Sequence, residues 1–456
     1  MLSYPITDAV LRWLEVILEE RFGHKWHLSF MADGLCLQLV GAEGAILFES
    51  LCNGFTQSDS DLPFSHWDAE HEGWTSLFGG GMPAPGVPEL PMPLIENRSG
   101  DYIIQYDILG LTYWMLSRVE EIARTDLDDH ERFPAISSHA YKYGYLDRPV
   151  VDEWLHVLGQ VIRRQWVGIE LKQHNSKTLV SCDVDSPFAL DGSFSRMVRR
   201  SMGDLLMRRS ISALAKTVVG TWLSRHGNHS LDPYRQGIEF IMETSERAGC
   251  AVAFYFIPEN TDSRLDNGVS LDDPRMRALL QEIHARGHEI GIHPGYHSYK
   301  HPETMLRSVQ TLRQVLDEEG IEQPLLGGRQ HFLRWETPTT ARLWDENDLN
   351  YDTTLSYADR PGFRCGTCFE YPMFDAVEQR ALKLRQRPLI LMECSVIAKR
   401  YLGLGYSDKA LWLMLEYRER CRQMGGNFTL LWHNSHFGNE EDKRFYEVLL
   451  GGYKAK

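Results

Sequence analysis

The chain has 456 residues, more than one ordinary domain holds, so two domains are the default expectation. Its hydrophobic share of 43% and charged share of 24% suit a globular protein, and no run of 18 apolar residues predicts a transmembrane helix. A net charge of −15 argues against a nucleic-acid partner, because phosphate binding needs a basic face.

At the N-terminus, Val10, Leu11, Leu14, Ile17 and Leu18 recur at helical spacing between acidic residues. With no basic leader and no small-residue cleavage site, this reads as an amphipathic helix of the mature fold, and a cytoplasmic protein is expected. Residues 35–40 alternate and residues 44–48 are apolar, which predicts two strands. A Gly/Pro-rich loop follows over 79–93, then helical patterns at 108–124 and 151–164. Together these predict a smaller α+β domain over residues 1–175, to which the sequence attaches no chemistry. The eight cysteines are scattered rather than framed for disulfides, and the one close pair, Cys365 and Cys368, reads as loop packing.

After residue 177 the rhythm changes. Apolar strands at 178–182, 251–257, 288–292, 324–326, 388–392 and 428–432 alternate with helical stretches at 274–286, 302–319, 339–346 and 409–424. Such alternation predicts parallel strands joined by crossover helices, and about seven units suit a distorted (β/α) barrel over residues 176–456. One interruption, residues 191–226, carries Arg196, Arg199, Arg200, Arg208, Arg209, Lys216 and Arg225 against Asp191 and Asp204. Its apolar residues recur at helical spacing. It reads either as a solvated helical excursion or as a surface for anionic lipid or a phosphate-bearing substrate.

Polar clusters fall at the predicted strands' C-terminal ends, where a parallel barrel builds its site. Asp183 and Asp185 stand two apart, so in extended backbone both carboxylates project to one side, and they repel unless a cation or proton sits between them. His293 and His297 stand four apart behind Pro294, a spacing that puts both on one face of a helical turn and is common among metal sites. Arg329, in Gly327-Gly-Arg329-Gln-His331-Phe-Leu-Arg334, can clamp a carboxylate. His433 ends the last apolar strand and is either a satisfied core histidine or a general acid.

In this order the motifs resemble the polysaccharide deacetylase family, carbohydrate esterase family four, over roughly residues 177–450. Ser181-Cys-Asp-Val-Asp185 is similar to the family's D-x-D branch, Gly287 to His293 matches its G-H-E-I-G-x-H, and Leu430-Leu-Trp-His433 is similar to its closing L-x-L-H. Pro294 replaces the hydroxyl residue of the H-[S/T]-x-x-H motif, and the prolines expected after the arginine are missing. The resemblance implies a divalent cation, zinc with cobalt or nickel as substitutes, on Asp185, His293 and His297. It implies Asp183 as base, His433 as acid and Arg329, or Arg334 in its place, holding the base. Asp352 and Asp359 are candidates for the aspartate that tunes His433. The implied activity is removal of an N-acyl group, acetyl foremost, from an amino sugar or a sugar-containing precursor of surface polysaccharide. Two alternatives stay open: the same residues acting on a small non-sugar amide or formamide, and a carbohydrate-binding protein without turnover.

Overall fold

The computed structural model describes residues 3–190, 211–226 and 228–451. Within these the chain forms two compact units that interleave along the sequence. One comprises residues 1–177, 332–403 and 413–429; the other comprises 178–331, 404–412 and 430–456. A single cut at 175/176 therefore does not describe the organisation, because the chain leaves the second unit after residue 331 and twice re-enters the first.

In the first unit, the helix Asp8–Phe22 buries Val10, Leu11, Trp13, Leu14, Ile17, Leu18 and Phe22 on one face and stops at Gly23, whose φ of 84° suits a left-handed cap. A five-stranded sheet runs in the order Trp26–Met31, Gly34–Leu39, Ile46–Phe48, Asp101–Ile104, Ile95–Arg98. The predicted helix at 108–124 ends earlier, at Leu116, and a short 3-10 turn, Val119–Glu121, follows it. The predicted strand at 388–392 shrinks to Leu391–Met392, while a hairpin unforeseen in the sequence, Tyr371–Asp375 with Arg380–Gln386, precedes it. The hairpin's second strand intersperses Arg380, Lys383, Arg385 and Gln386 with apolar residues, and its first is short and holds Pro372, so no long apolar run marks it. Cys365 and Cys368 are buried here as free thiols, and Cys368 N–H donates to Asp152 at 2.8 Å.

The second unit holds the parallel block. Thr178–Val184, Val252–Phe256, Glu289–Ile292 and Gly327–Gly328 lie side by side in that order, all parallel. The last strand, Phe428–Leu431, comes alongside the first: Ser181 Oγ donates to the Leu430 carbonyl at 3.2 Å and Trp432 N–H to the Ser181 carbonyl at 3.1 Å. The α/β class with parallel strands is as expected. The seven-stranded barrel is not reproduced: among the described residues the hydrogen-bonded strand order has two ends and does not close. The predicted strand at 324–326 is displaced to Gly327–Gly328. Gly328 and Gly291 are demanded by close approach, since a Cβ on Gly328 would meet the Ile292 carbonyl oxygen at 1.9 Å and one on Gly291 would meet the Gly327 oxygen at 2.4 Å.

Crossover helices start on Asp–Pro signals. Asp232 caps Pro233–Arg247 and Asp273 caps Pro274–Ala285, each accepting from N–H groups of the first turn. Asp232 also accepts from Ala189 and Leu190 N–H at 3.0 and 2.6 Å, which pins the chain leaving the first strand. Of the expected basic insert, residues 191–210 lie outside the described residues. The helix Ile211–Arg225 follows, with Val218, Val219 and Trp222 exposed. Among the described residues no helix is long and apolar enough to cross a membrane.

Candidate metal centre

Strand register sets the site. Val184, Phe256, Ile292 and Gly328 form one row across the four parallel strands. The residues that leave this row therefore emerge together at the C-terminal edge, among them Asp185, His293 and Arg329. Asp183, two residues before Asp185, shares its face of the strand.

Asp185, His293 and His331 bring one donor atom each to within 4.8 Å of one another. Asp185 Oδ1 lies 3.4 Å from His293 Nε2 and 3.5 Å from His331 Nε2. It is buried yet hydrogen-bonded to neither. Donors around a tetrahedral cation at about 2.1 Å stand about 3.4 Å apart, so this spacing fits a bound zinc-like ion. Both rings are fixed from behind. His293 Nδ1 sits 2.6 Å from the Arg329 carbonyl and His331 Nδ1 sits 2.6 Å from Asp266 Oδ1. Each Nδ1 faces an acceptor and so carries the proton of that bond, which leaves Nε2 as the ring nitrogen that faces the cluster and could ligate a cation. A two-histidine, one-carboxylate set, its two rings buried and its Asp185 carboxylate part-exposed, is chemically suited to a divalent cation.

The electrostatics follow the same geometry. Burial alone would raise the Asp185 carboxyl, but the neighbouring His293 ring and the charges of His331 and His433 hold it well below the usual carboxylate range. Burial would likewise lower His293, yet its pKa is raised by Asp183 and Asp185 together with the bond to the Arg329 carbonyl.

His297 is not part of the cluster. The spacing argument required a helical turn, whereas residues 293–297 run as loop and turn before the short 3-10 segment Ser298–Lys300. Four residues along a loop do not bring two rings to one face. His297 instead is half exposed, its Nε2 lying 3.3 Å from Asp262 Oδ2. His331 stands where His297 was expected.

Beside the cluster, Asp183 is 2% exposed and Arg329 fully buried. Arg329 Nη1 donates to Asp183 Oδ1 at 2.6 Å and Nη2 to Ser181 Oγ at 2.9 Å, so the guanidinium ties the carboxylate to its own strand. The other oxygen, Oδ2, lies 3.8 Å from His293 Nε2. Arg334 belongs to the first unit, where it donates to the His130 carbonyl and Glu131. His433 leaves the last strand into the turn Asn434–His436. That turn is tied to the Asp185 segment by Asn434 Nδ2, which donates to the Ser186 carbonyl at 3.0 Å. His433 is partly exposed and near enough for its charge to act on Asp185. Asp352 and Asp359 both belong to the first unit, where Asp352 accepts from Thr354 and Asp359 from Ala135 N–H.

Two participants escaped the sequence reading. His331 lies two residues after Arg329 in a motif whose arginine drew the attention. Asp266 sits in a loop with no periodic pattern, and its partner is 65 residues away.

Residues 38–167 match a family of unknown function (DUF7033). No curated protein sequence matches the chain. Among solved structures, the chain is similar to a Mycobacterium smegmatis protein assigned as a polysaccharide deacetylase, with 15% identity over 61% of this chain and 85% of that one and a TM-score of 0.38. It is also similar to Puue allantoinase, with 16% identity over 64% of this chain and 87% of that one and a TM-score of 0.33.

Proposed function

We propose that the protein is a metal-dependent hydrolase that cleaves an amide and removes an acyl group, acetyl foremost, from an amino sugar or a sugar-containing precursor. The observation that carries this reading is the convergence of Asp185, His293 and His331 on one point, with the Arg329-bound Asp183 beside it. Asp185, His293 and His331 would hold the cation. When bound, a divalent cation supplies Lewis acidity toward a water and an acyl oxygen.

The remaining chemistry belongs to the chain's own groups. Asp183 Oδ2, on the His293 side, takes the proton of the attacking water. Arg329 orients Asp183 through Oδ1, so the accepting oxygen is the other one. His433, entering from a different strand, gives a proton to the departing amine. The amino-sugar substrate rests on the motif resemblance of residues 177–450, and the small-amide alternative shares every residue of the mechanism.

The test has two arms. Purified protein should hold about one zinc, cobalt or nickel ion per chain, lost in His293→Ala and His331→Ala and kept in His297→Ala. Incubated with N-acylated amino sugars and their nucleotide derivatives, it should release the free acid. Release only from simple amides or formamides would replace the sugar assignment. Metal retention in both His293→Ala and His331→Ala would remove the centre itself.

A further inference from the structure

We infer that Asp266 is the positioning residue of the metal centre: it selects the tautomer of His331 and locks its ring so that Nε2 points at the cation. The inference rests on the reading of Asp185, His293 and His331 as ligands and extends it to a residue that no motif marks.

Asp266 is 4% exposed, and its carboxylate is hydrogen-bonded on both oxygens. Oδ2 accepts from Thr261 N–H at 2.6 Å, Thr261 Oγ at 2.8 Å and Asp262 N–H at 2.9 Å. Tyr296 N–H donates at 2.9 Å to Oδ1, the oxygen that also receives His331 Nδ1–H at 2.6 Å. One carboxylate thus joins three segments: the loop 261–266, the 293–297 segment that begins with ligand His293, and ligand His331. The segments are packed without slack, since a Cβ on Gly295 would meet the Glu259 carbonyl at 2.6 Å and Asp266 Oδ2 at 2.9 Å. His293 uses a backbone carbonyl for the same purpose. A carbonyl cannot be mutated away, whereas Asp266 can, which makes it the accessible handle on ligand orientation.

The experiment uses full-length protein stripped of metal and titrated with Zn2+ alone against a chromogenic chelator, with the visible spectrum of the Co2+ form as a second readout. Asp266→Asn should weaken zinc affinity about 10–100-fold and change the cobalt bands. Thr261→Val loosens the same loop without touching the Nδ1 bond, and should keep both the wild-type affinity and the wild-type spectrum. Equal losses in Asp266→Asn and Thr261→Val would reduce Asp266 to a loop anchor and overturn the inference. So would wild-type affinity and bands in Asp266→Asn while His331→Ala loses zinc, an outcome that leaves the hydrolase reading standing. Zinc retained by both His331→Ala and His293→Ala would instead overturn the ligand reading itself. If Asp266→Asn does not fold, Asp266→Glu keeps the charge on a longer arm and should shift the cobalt bands; unshifted bands there would also overturn the inference.

Discussion

In the proposed mechanism Asp183 and His433 act from different strands, and neither belongs to the three-donor set, so their contributions are separable. Asp183→Asn keeps the shape but cannot accept a proton, and His433→Ala removes the donor to the leaving amine. Each positioned proton transfer is worth about 10²–10⁴-fold, so kcat should fall by that order in either variant while bound metal, measured by elemental analysis, is unchanged. An activated ester, whose leaving group needs no proton, should recover the His433 variant more than the Asp183 variant. Arg329 carries a different weight. Its guanidinium and the Asp183 carboxylate are both buried, and removing the cation leaves the anion uncompensated in the interior. Arg329→Met should cost about 3–5 kcal/mol of unfolding free energy, read from denaturant curves of the metal-free protein. A loss below about 1 kcal/mol would mean that water compensates Asp183.

At the level of strands and loops, the legible part of the site is the part carried by period and position. Asp183, Asp185, His293 and Arg329 follow or end apolar strands, and polar residues at such ends are visible in a linear sequence. Spacing without a known backbone is not. The interval from His293 to His297 would pair two rings on a helix, but a proline and a glycine follow His293 and the segment runs as a loop. Asp266 left no trace for a related reason, because its partners are set by tertiary packing across dozens of residues. The glycines of the central strands show how narrow the tolerance is. Ile292 pairs with Gly328, and a methyl group at 328 would overlap the Ile292 carbonyl oxygen. Gly328→Ala should therefore push the strands apart between His293 and Arg329, costing about 1–3 kcal/mol and lowering metal affinity. Gly438→Ala, where no atom lies within 4 Å of the new methyl, is the matched control and should stay within about 0.5 kcal/mol in a thermal melt.

For the molecule as a whole, acid stability is governed in part by the first unit, far in sequence from the proposed chemistry. Two buried groups there titrate in separate windows. Glu121 accepts from Arg118 and Arg364; burial would raise it, yet the two guanidinium groups hold it at about 2. Its stabilisation is complete above the ordinary glutamate value of about 4.5 and is lost only as pH falls toward 2. His139 acts earlier. Its Nε2 lies 3.0 Å from the Leu62 carbonyl, so Nε2 donates and Nδ1 accepts from the Tyr145 hydroxyl at 2.6 Å. The ring is neutral in the fold, and burial lowers its pKa from 6.5 to about 4. A depressed histidine makes a contribution that is full above the unfolded value of about 6.5 and drains away as pH drops to 4, because only the unfolded chain binds the proton. At 1.36 kcal/mol per unit, the whole descent amounts to about 3 kcal/mol. His139→Gln keeps a donor and an acceptor but does not titrate. The unfolding free energy of wild type minus that of His139→Gln should be roughly constant above pH 7, then shrink by about 3 kcal/mol between pH 6.5 and 4. Urea unfolding at half-unit pH intervals reads this difference directly, and a difference that stays flat across the window would show that His139 takes up its proton equally in the folded and unfolded chain and that burial does not depress it.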